Sequence, residues 1–160
     1  MKNELLVIHC SATPEGLYYD KEDIIKWHTT PKRLGGRGWS KAGYNDVILL
    51  DGTMQNIIPF DTNNYVDNWE IANGVRGYNS KSIHVCYIGG LDSDYKPKDT
   101  RTLKQINSLV TYVRYIILRN PDIQVAGHNQ LAAKACPCFS VPTWLKQIGV
   151  SPKNIYKPKH

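Results

Sequence analysis

Residues 127–139 read GHNQLAAKACPCF, and this short stretch carries a histidine and a cysteine, His128 and Cys136, that could share one metal ion. Both side chains are strong zinc ligands, but a catalytic zinc site usually takes three protein ligands and a water. A third ligand must therefore come from elsewhere in the chain. The best candidate is His9, because it ends the apolar run LLVI, which predicts a buried strand that would hold it in place.

The spacing of these residues matches neither an H-E-x-x-H helix nor a pair of C-x-x-C knuckles. On spacing alone, a packed histidine and a buried thiol are the commoner interpretation. Cys138 also competes with Cys136, since either thiol of the loop could be the ligand. Cys10 and Cys86 fall in predicted strands and are interpreted as small core residues. The four cysteines do not form the framework of a disulfide-rich secreted protein.

Lys134 lies in the same loop as Cys136. A cation at this place could stabilise the negative charge of a tetrahedral intermediate formed beside a metal ion. The alternative is a solvated surface lysine, which is the commoner environment for this residue type. The spacing does not decide between the two interpretations.

Apolar and β-branched runs predict an α/β fold, a single domain with a central mixed β-sheet flanked by helices. The predicted strands cover residues 5–9, 44–50, 54–58, 82–88 and 123–126. Asp51-Gly52 predicts a hairpin turn between the second and third of them. The predicted helices cover residues 21–28, 102–119 and 142–148. Apolar side chains of the longest helix recur at helical spacing and form its expected buried stripe, namely Leu103, Ile106, Val110, Val113 and Ile117.

Four blocks of sequence carry a family resemblance: VIHCSAT at 7–13, GRGWSKAGYNDVILLDGT at 36–53, GYNSKSIHVCYIGGLD at 77–92 and GHNQLAAKACPCF at 127–139. In order and spacing they resemble the zinc-dependent N-acetylmuramoyl-L-alanine amidases of the phage-lysozyme type, which are relatives of peptidoglycan recognition proteins. The resemblance implies hydrolysis of the amide bond between N-acetylmuramic acid and L-alanine in peptidoglycan. The blocks lie in one predicted catalytic domain, residues 1–150, and the Pro/Lys-rich end at 151–160 is interpreted as a tail.

The resemblance assigns the zinc ligands to His9, His128 and Cys136, and catalytic roles to Tyr44 and Lys134. It implies cleavage rather than binding alone, since relatives that only bind wall fragments typically lack the cysteine. Zinc would polarise the scissile carbonyl and lower the pKa of a water molecule. The Tyr44 phenol, whose ordinary pKa is about 10, would stay protonated and donate a hydrogen bond.

Two positions depart from the family pattern. Asn45 stands where many relatives have histidine, and it cannot take part in proton transfer. His84 stands where relatives often have glycine. We expect His84 to face outward from its strand, with a polar role near the site as the alternative. His28, in the first predicted helix, is expected to pack beside Trp27 rather than to enter the cleft.

Three further residues are predicted to bind substrate. Arg37 and Trp39 lie in the glycine-containing loop PKRLGGRGW, where the guanidinium can pair with a carboxylate and the indole can lie against a sugar. Asn79 lies in a second loop, GYNSKS. For each of these residues the alternative is a solvated turn.

The formal net charge of +6 suits a polyanionic cell wall, and it would equally suit nucleic acid, which the resemblance makes the less favoured partner. No apolar stretch of the sequence is long enough to cross a bilayer, and the N-terminus lacks the features of a signal peptide. We expect a monomer that is made in the cytoplasm and acts on the wall after release, as a phage or prophage endolysin would. The alternatives are a noncatalytic wall-binding module, a cysteine hydrolase that uses Cys136 and His128, and a regulatory protein that binds a polymerase or nucleic acid through its basic surface.

Overall fold

A computed structural model describes residues 1–159, so His160, the last residue of the predicted tail, lies outside the described residues. The strands are β1 Leu5–Cys10, β2 Thr13–Pro14, β3 Asp46–Ile48, β4 Met54–Asn56, β5 Ser82–Tyr87, β6 Gly90–Leu91 and β7 Gln124–Gly127. The α-helices are α1 Lys21–Thr29, α2 Leu103–Arg119 and α3 Val141–Gln147. Short 3-10 turns cover Lys32–Leu34, Asn68–Glu70, Asn79–Lys81, His128–Gln130 and Pro152–Asn154.

The main sheet has five strands in the order β4-β3-β5-β1-β7. Only β4 runs antiparallel to its neighbour, so the sheet is mixed and the predicted fold class is confirmed. The hairpin joining β3 to β4 turns at Asp51-Gly52, as predicted, with Gly52 at a φ of +85°. Asp51 accepts a hydrogen bond from the Thr53 amide at 2.9 Å, which closes the turn.

Strand β1 is an interior strand of the sheet, between β5 and β7, and its sequence is apolar on both faces. It pairs in parallel with β5 on one side and with β7 on the other, and all six of its residues are buried. Strands that are buried on both faces are typical of parallel sheets and explain the uninterrupted LLVI run. Strand β5 is likewise buried along its whole length.

The two faces of the sheet are covered differently. Helices α2 and α3 cover one face, where Leu6, Ile8 and Cys10 of β1 join the main apolar cluster. The other face carries the alternate residues of β1, which are Leu5, Val7 and His9. Helix α1 covers part of this second face by packing Ile24 against β3 and β5. Loops cover the rest, and the candidate site lies there.

Helix α2 begins after Thr102, whose hydroxyl accepts a hydrogen bond from the Gln105 backbone amide at 3.1 Å. The Gln105 side-chain oxygen in turn accepts one from the Thr102 backbone amide at 2.9 Å. The predicted buried stripe is confirmed in part: Val113 is buried, and Val110 and Ile117 pack half-buried against the main core. Leu103, by contrast, is 80% exposed. The buried face is shifted around the helix because Gln105 points at the sheet and donates to the Ile88 carbonyl at 2.9 Å. The buried residues are Gln105, Leu109, Tyr112, Val113 and Ile116.

The strands and α-helices that were predicted agree with the observed ones to within two residues at each end. The strand predicted over residues 44–50 is shorter and covers Asp46–Ile48, so Tyr44 lies in the segment that precedes it. The short parallel pair β2 and β6 had no distinct signal in the sequence. No helix among residues 1–159 is long and apolar enough to span a membrane.

The segment after residue 150 packs on the edge of the sheet. Asn154 is buried and donates hydrogen bonds to the carbonyls of Pro121 and Ile123, both at 2.8 Å. The Tyr156 amide donates to the Val125 carbonyl at 3.0 Å, beside the last strand of the sheet. The domain boundary at residue 150 stays a prediction, and the described part of the tail is held by these contacts through Tyr156.

Candidate metal centre and cleft

Two histidines reach the same edge of the sheet from neighbouring parallel strands. His9 lies near the carboxyl end of β1, and His128 follows β7 directly in a 3-10 turn. Parallel strands end at a common edge, where α/β folds usually bind their ligands. The ring centroids of His9 and His128 are 4.8 Å apart. Pairing of β7 with β1 therefore joins residues that are far apart in sequence.

Cys136 completes a group of three potential metal ligands. Its Sγ lies 3.8 Å from Nδ1 of His9, and the ligand atoms of His9, His128 and Cys136 all lie within 4.8 Å of one another. Tetrahedral zinc with its usual nitrogen and sulfur bond lengths separates such a nitrogen from the sulfur by about 3.6 Å. The donor set and its spacing therefore fit zinc. The Cys10 amide also donates a hydrogen bond to the Cys136 sulfur at 3.2 Å, which holds the sulfur beside the first strand.

Both histidines of this group are held in their neutral form. Burial lowers the pKa of His9 well below its ordinary value, and the neighbouring histidines His84, His128 and His28 lower it further. Burial also lowers the pKa of His128, with a smaller contribution from the positive charge of Lys134. A neutral imidazole keeps the lone pair that a metal ion requires.

Tyr44 lies beside the three potential ligands. Its ring centroid is 5.0 Å from that of His9, and its hydroxyl donates to the Cys10 carbonyl at 3.4 Å. Burial raises the pKa of the Tyr44 phenol well above its ordinary value, and the thiols of Cys86 and Cys136 raise it further. The phenol therefore stays protonated and can serve as a hydrogen-bond donor.

One cavity of about 870 Å³ joins these groups to the predicted substrate-binding residues. Arg37 and Trp39 line it together, with the guanidinium carbon 5.1 Å from the indole centroid. Lys134 is exposed on its wall. Asn79 also lines the cavity, but its side-chain oxygen accepts from the Val75 amide at 2.7 Å and so shapes the loop before it. The catalytic and binding roles of these residues stay predictions.

The cavity also contains residues that sequence reasoning missed. Asn73 and Arg76 line it from the segment between β4 and β5, whose sequence shows neither a helical nor a strand periodicity. Its only signal is a pair of glycines, Gly74 and Gly77, close to the matched block at 77–92. Arg76 adds a third cation to Arg37 and Lys134, and no aspartate or glutamate among the described residues lines the cavity.

His28 packs differently from the prediction. It is buried, as expected, but its ring lies against Trp39 and Tyr44, with centroids 4.8 Å and 5.3 Å away, while Trp27 packs on Tyr19 instead. Nδ1 of His28 accepts a hydrogen bond from the Gly43 amide at 2.9 Å. The side chain also lines the cavity, so it helps to build the wall of the cleft.

The expectation that His84 faces outward is wrong. Its side chain is fully buried, and Nδ1 lies 2.9 Å from Nε2 of His9. Burial lowers its pKa to about 3, and the charge of His128 contributes to the same direction. The error arises because a strand buried on both faces offers no outward position. The alternative, a polar group near the site, describes its place correctly.

The Asn45 side chain is buried and hydrogen-bonded to the backbone of neighbouring segments. Its oxygen accepts from the His84 amide at 2.8 Å, and its nitrogen donates to the Glu70 carbonyl at 2.8 Å. These bonds tie three segments together beside the site. The side chain thus satisfies backbone groups that are cut off from water.

The competing thiol, Cys138, lies beside Cys10 and is not part of the group formed by the two histidines and Cys136. Its Sγ lies 3.8 Å from Sγ of Cys10, and all four cysteines are free thiols. Hydrogen bonding with Cys136 raises the pKa of Cys10 to about 12, with burial contributing. Cys86 is buried in the core, as predicted. Cys136 is therefore the thiol of this loop that groups with His9 and His128.

Comparison with known proteins agrees with this arrangement. A family model described as N-acetylmuramoyl-L-alanine amidase matches residues 1–139. The endolysin of Enterobacteria phage K11 is 30% identical over 139 residues, covering 87% of this chain and 83% of the relative. Among solved structures, the amidase LysC of Clostridium intestinale has a TM-score of 0.66 at 21% identity, covering 94% of this chain and 88% of its own.

A third similar protein comes from an insect rather than from a phage or a bacterium. Bumblebee PGRP-SA has a TM-score of 0.68 at 20% identity, and the match covers 91% of this chain and 81% of that protein. At this identity the likeness concerns the fold alone. Because the family model spans most of its length, the chain belongs to the N-acetylmuramoyl-L-alanine amidase family, and the enzyme class that its sequence predicted is confirmed.

Proposed function

We propose that the protein hydrolyses the amide bond between N-acetylmuramic acid and L-alanine in peptidoglycan by means of one zinc ion held by His9, His128 and Cys136. The observation that carries the proposal is the convergence of these three donors on the wall of one large cleft. A bound zinc ion supplies Lewis-acid chemistry, which polarises a carbonyl and lowers the pKa of water.

The protein's own groups complete this chemistry. Tyr44 offers a neutral phenol beside His9, so it can donate a hydrogen bond to the carbonyl oxygen as negative charge develops there. Lys134 contributes positive charge from the loop that also carries Cys136. The departing amine needs a proton, and since no described carboxylate lines the cleft, Tyr44 and Lys134 are the side chains suited to provide it.

The charge of the cleft supports a peptide substrate that carries carboxylates. Arg37, Arg76 and Lys134 line it and no described acidic side chain opposes them. Arginine binds carboxylates in a two-pronged geometry, and Trp39 beside Arg37 offers a flat surface for a sugar or an aliphatic stem. These features favour the stem peptide of peptidoglycan over nucleic acid as the partner.

We further propose that the protein acts as a phage or prophage endolysin. Support comes from the relative in phage K11, which is itself named an endolysin and which this chain matches over most of both lengths. An enzyme of this kind, made in the cytoplasm, would reach the wall after release from the cell. In this proposal the protein is a monomer, and the cleft is where it binds and cleaves the wall.

The test is cleavage of purified peptidoglycan, with the new termini identified by mass spectrometry. We expect free L-alanine amino termini from the wild-type protein, loss of the reaction with a chelator, and recovery when zinc is restored. Cys136→Ala should lose both metal and activity, whereas the matched control Cys138→Ala should keep both. Binding without new termini would indicate a noncatalytic module. Cleavage that survives complete zinc removal would indicate a cysteine hydrolase and refute the proposal.

A further inference from the structure

His84 makes one side-chain hydrogen bond, and its partner is a proposed zinc ligand. Nδ1 of His84 lies 2.9 Å from Nε2 of His9, and both residues are buried. The other nitrogen of His9, Nδ1, faces Sγ of Cys136 at 3.8 Å. Both ring nitrogens of His9 are therefore engaged, one toward the metal position and one toward His84.

The two nitrogens constrain each other's protonation. For Nδ1 of His9 to offer a lone pair to a metal, the proton of the neutral ring must lie on Nε2. Nε2 then donates to Nδ1 of His84, which must be unprotonated, so the proton of His84 lies on its own Nε2. Within residues 1–159 that Nε2 is buried and has no hydrogen-bond partner. The bond to His9 is thus the one polar interaction that explains a histidine at this position.

The surrounding structure fixes the His84 ring. The backbone amide of His84 donates to the Asn45 side chain at 2.8 Å, and β5 pairs directly with β1. Gly74 lies over the ring, where a Cβ atom would fall 2.6 Å from Cγ of His84 and closer still to Nδ1. A side chain at residue 74 would therefore displace the imidazole. Gly74 belongs to the loop that lines the cleft, so the ring is held between this loop and the sheet.

We propose that His84 is a positioning residue for His9, which it holds in the ring orientation and in the Nε2-protonated form that leaves Nδ1 free for zinc. The inference rests on the proposed function in one respect, that His9 is a zinc ligand. Histidine ligands of metals usually donate their second N–H to a carboxylate, a carbonyl or a water. Here a neutral imidazole takes that place, between two strands that are hydrogen-bonded to each other.

Two substitutions separate this positioning role from packing. His84→Asn places an oxygen near the position of Nδ1 and so keeps a hydrogen-bond acceptor, but it leaves empty space. His84→Leu fills more of that space and removes the acceptor. We expect His84→Leu to lower zinc affinity by about 10–100-fold and His84→Asn to lower it less. Affinity is measured by competition with a chromophoric chelator, and the melting temperature of the zinc-free variants is measured alongside.

If His84 only packs, the zinc affinities of the variants would rank differently. Zinc affinity would then follow the stability of the zinc-free protein, and His84→Leu would bind zinc as well as wild type. That outcome would overturn the inference. If wild-type protein itself fails to bind zinc, the proposed function falls instead. Equal zinc affinity in wild type and both variants would leave the zinc site standing and remove the role of His84.

Gly74→Ala and nuclear magnetic resonance provide tests that keep His84 in place. Gly74→Ala should lower zinc affinity in the wild-type background and lower it much less in the His84→Leu background, as expected for two residues that act through one contact. In zinc-loaded wild-type protein, nitrogen–proton correlation of the imidazoles should find His9 and His84 both protonated at Nε2. A proton on Nδ1 of His84 would contradict the inference directly.

Discussion

His28 gives the clearest expected dependence of stability on pH. Its side chain is 7% exposed, and its Nδ1 accepts from the Gly43 amide at 2.9 Å, so protonation would break a buried hydrogen bond. Burial lowers its pKa from 6.5 to about 4, and the positive charge of Arg37 contributes to the same direction. In an unfolded chain the same imidazole would titrate near pH 6.5.

The sign follows from where the proton binds. Below pH 6.5 the unfolded chain takes up a proton at His28 and the folded protein does not, so the free energy of unfolding falls as the pH falls. For one such group the free energy of unfolding changes by about 1.4 kcal/mol per pH unit. Between pH 7.5 and pH 5 the contribution of His28 is therefore up to about 2 kcal/mol. The loss ends near pH 4, where the folded protein is protonated as well.

The perturbation is His28→Asn, which keeps an acceptor near the position of Nδ1 but does not titrate. Urea unfolding of both proteins is measured from pH 7.5 to pH 5 in the presence of a chelator, so that metal binding does not contribute. The remaining histidines titrate in both proteins, so their contributions cancel in the difference apart from the small effect of His28 on the pKa of His9. We expect the stability of wild type relative to the variant to fall by up to about 2 kcal/mol over this range. A difference that is constant with pH, or that grows in favour of wild type, would refute the reasoning.

The other predictions concern the ligands, the core and the cleft. Cys136→Ser should reduce zinc content strongly while Cys138→Ser keeps it, as measured by metal analysis after gel filtration; equal zinc in both would remove Cys136 from the site. Tyr112→Phe should lower the free energy of unfolding by about 1.5–3 kcal/mol in urea titrations, since its hydroxyl donates to buried Asp46 at 2.8 Å. Arg37→Gln should raise KM for peptidoglycan fragments several-fold with little change in kcat, because the guanidinium is exposed on the cleft wall; an unchanged KM would contradict its role.

The convergence of the first strand and the C-terminal loop could be predicted from sequence. His9 ends an apolar run, and that run is a central parallel strand, so its carboxyl end lies beside that of β7. His128 follows β7 without an intervening loop, which places it at the same edge. The sequence predicted that the two histidines share a ligand set, but the strand order that places β1 beside β7 was not predicted. The choice of Cys136 over Cys138 needed the family resemblance, since both thiols share one short loop.

The place of His84 could not be predicted by alternation alone. Residues of β5 alternate between two faces, but α2 and α3 cover one face while α1 and loops cover the other, and all six residues are buried. Alternation tells which residues share a face and not what covers it. The shifted stripe of α2 has a related cause, since polar Gln105 is buried by hydrogen bonds to strand carbonyls. In both cases a specific polar contact overrides the general pattern.

The cations of the cleft act both on the proposed binding surface and on the candidate metal centre. The net charge of the sequence could not indicate this double effect. Arg37, which can pair with a substrate carboxylate, also helps to lower the pKa of His28, and Lys134 helps to lower the pKa of His128. A positive field that attracts an anionic peptide thus also disfavours protonation of the imidazoles around the site. A carboxylate on the cleft wall would have the opposite effect on both, because it would repel the substrate and favour imidazolium. The lack of acidic side chains among the described lining residues therefore suits both the proposed anionic substrate and the neutral imidazoles that the proposed zinc site requires.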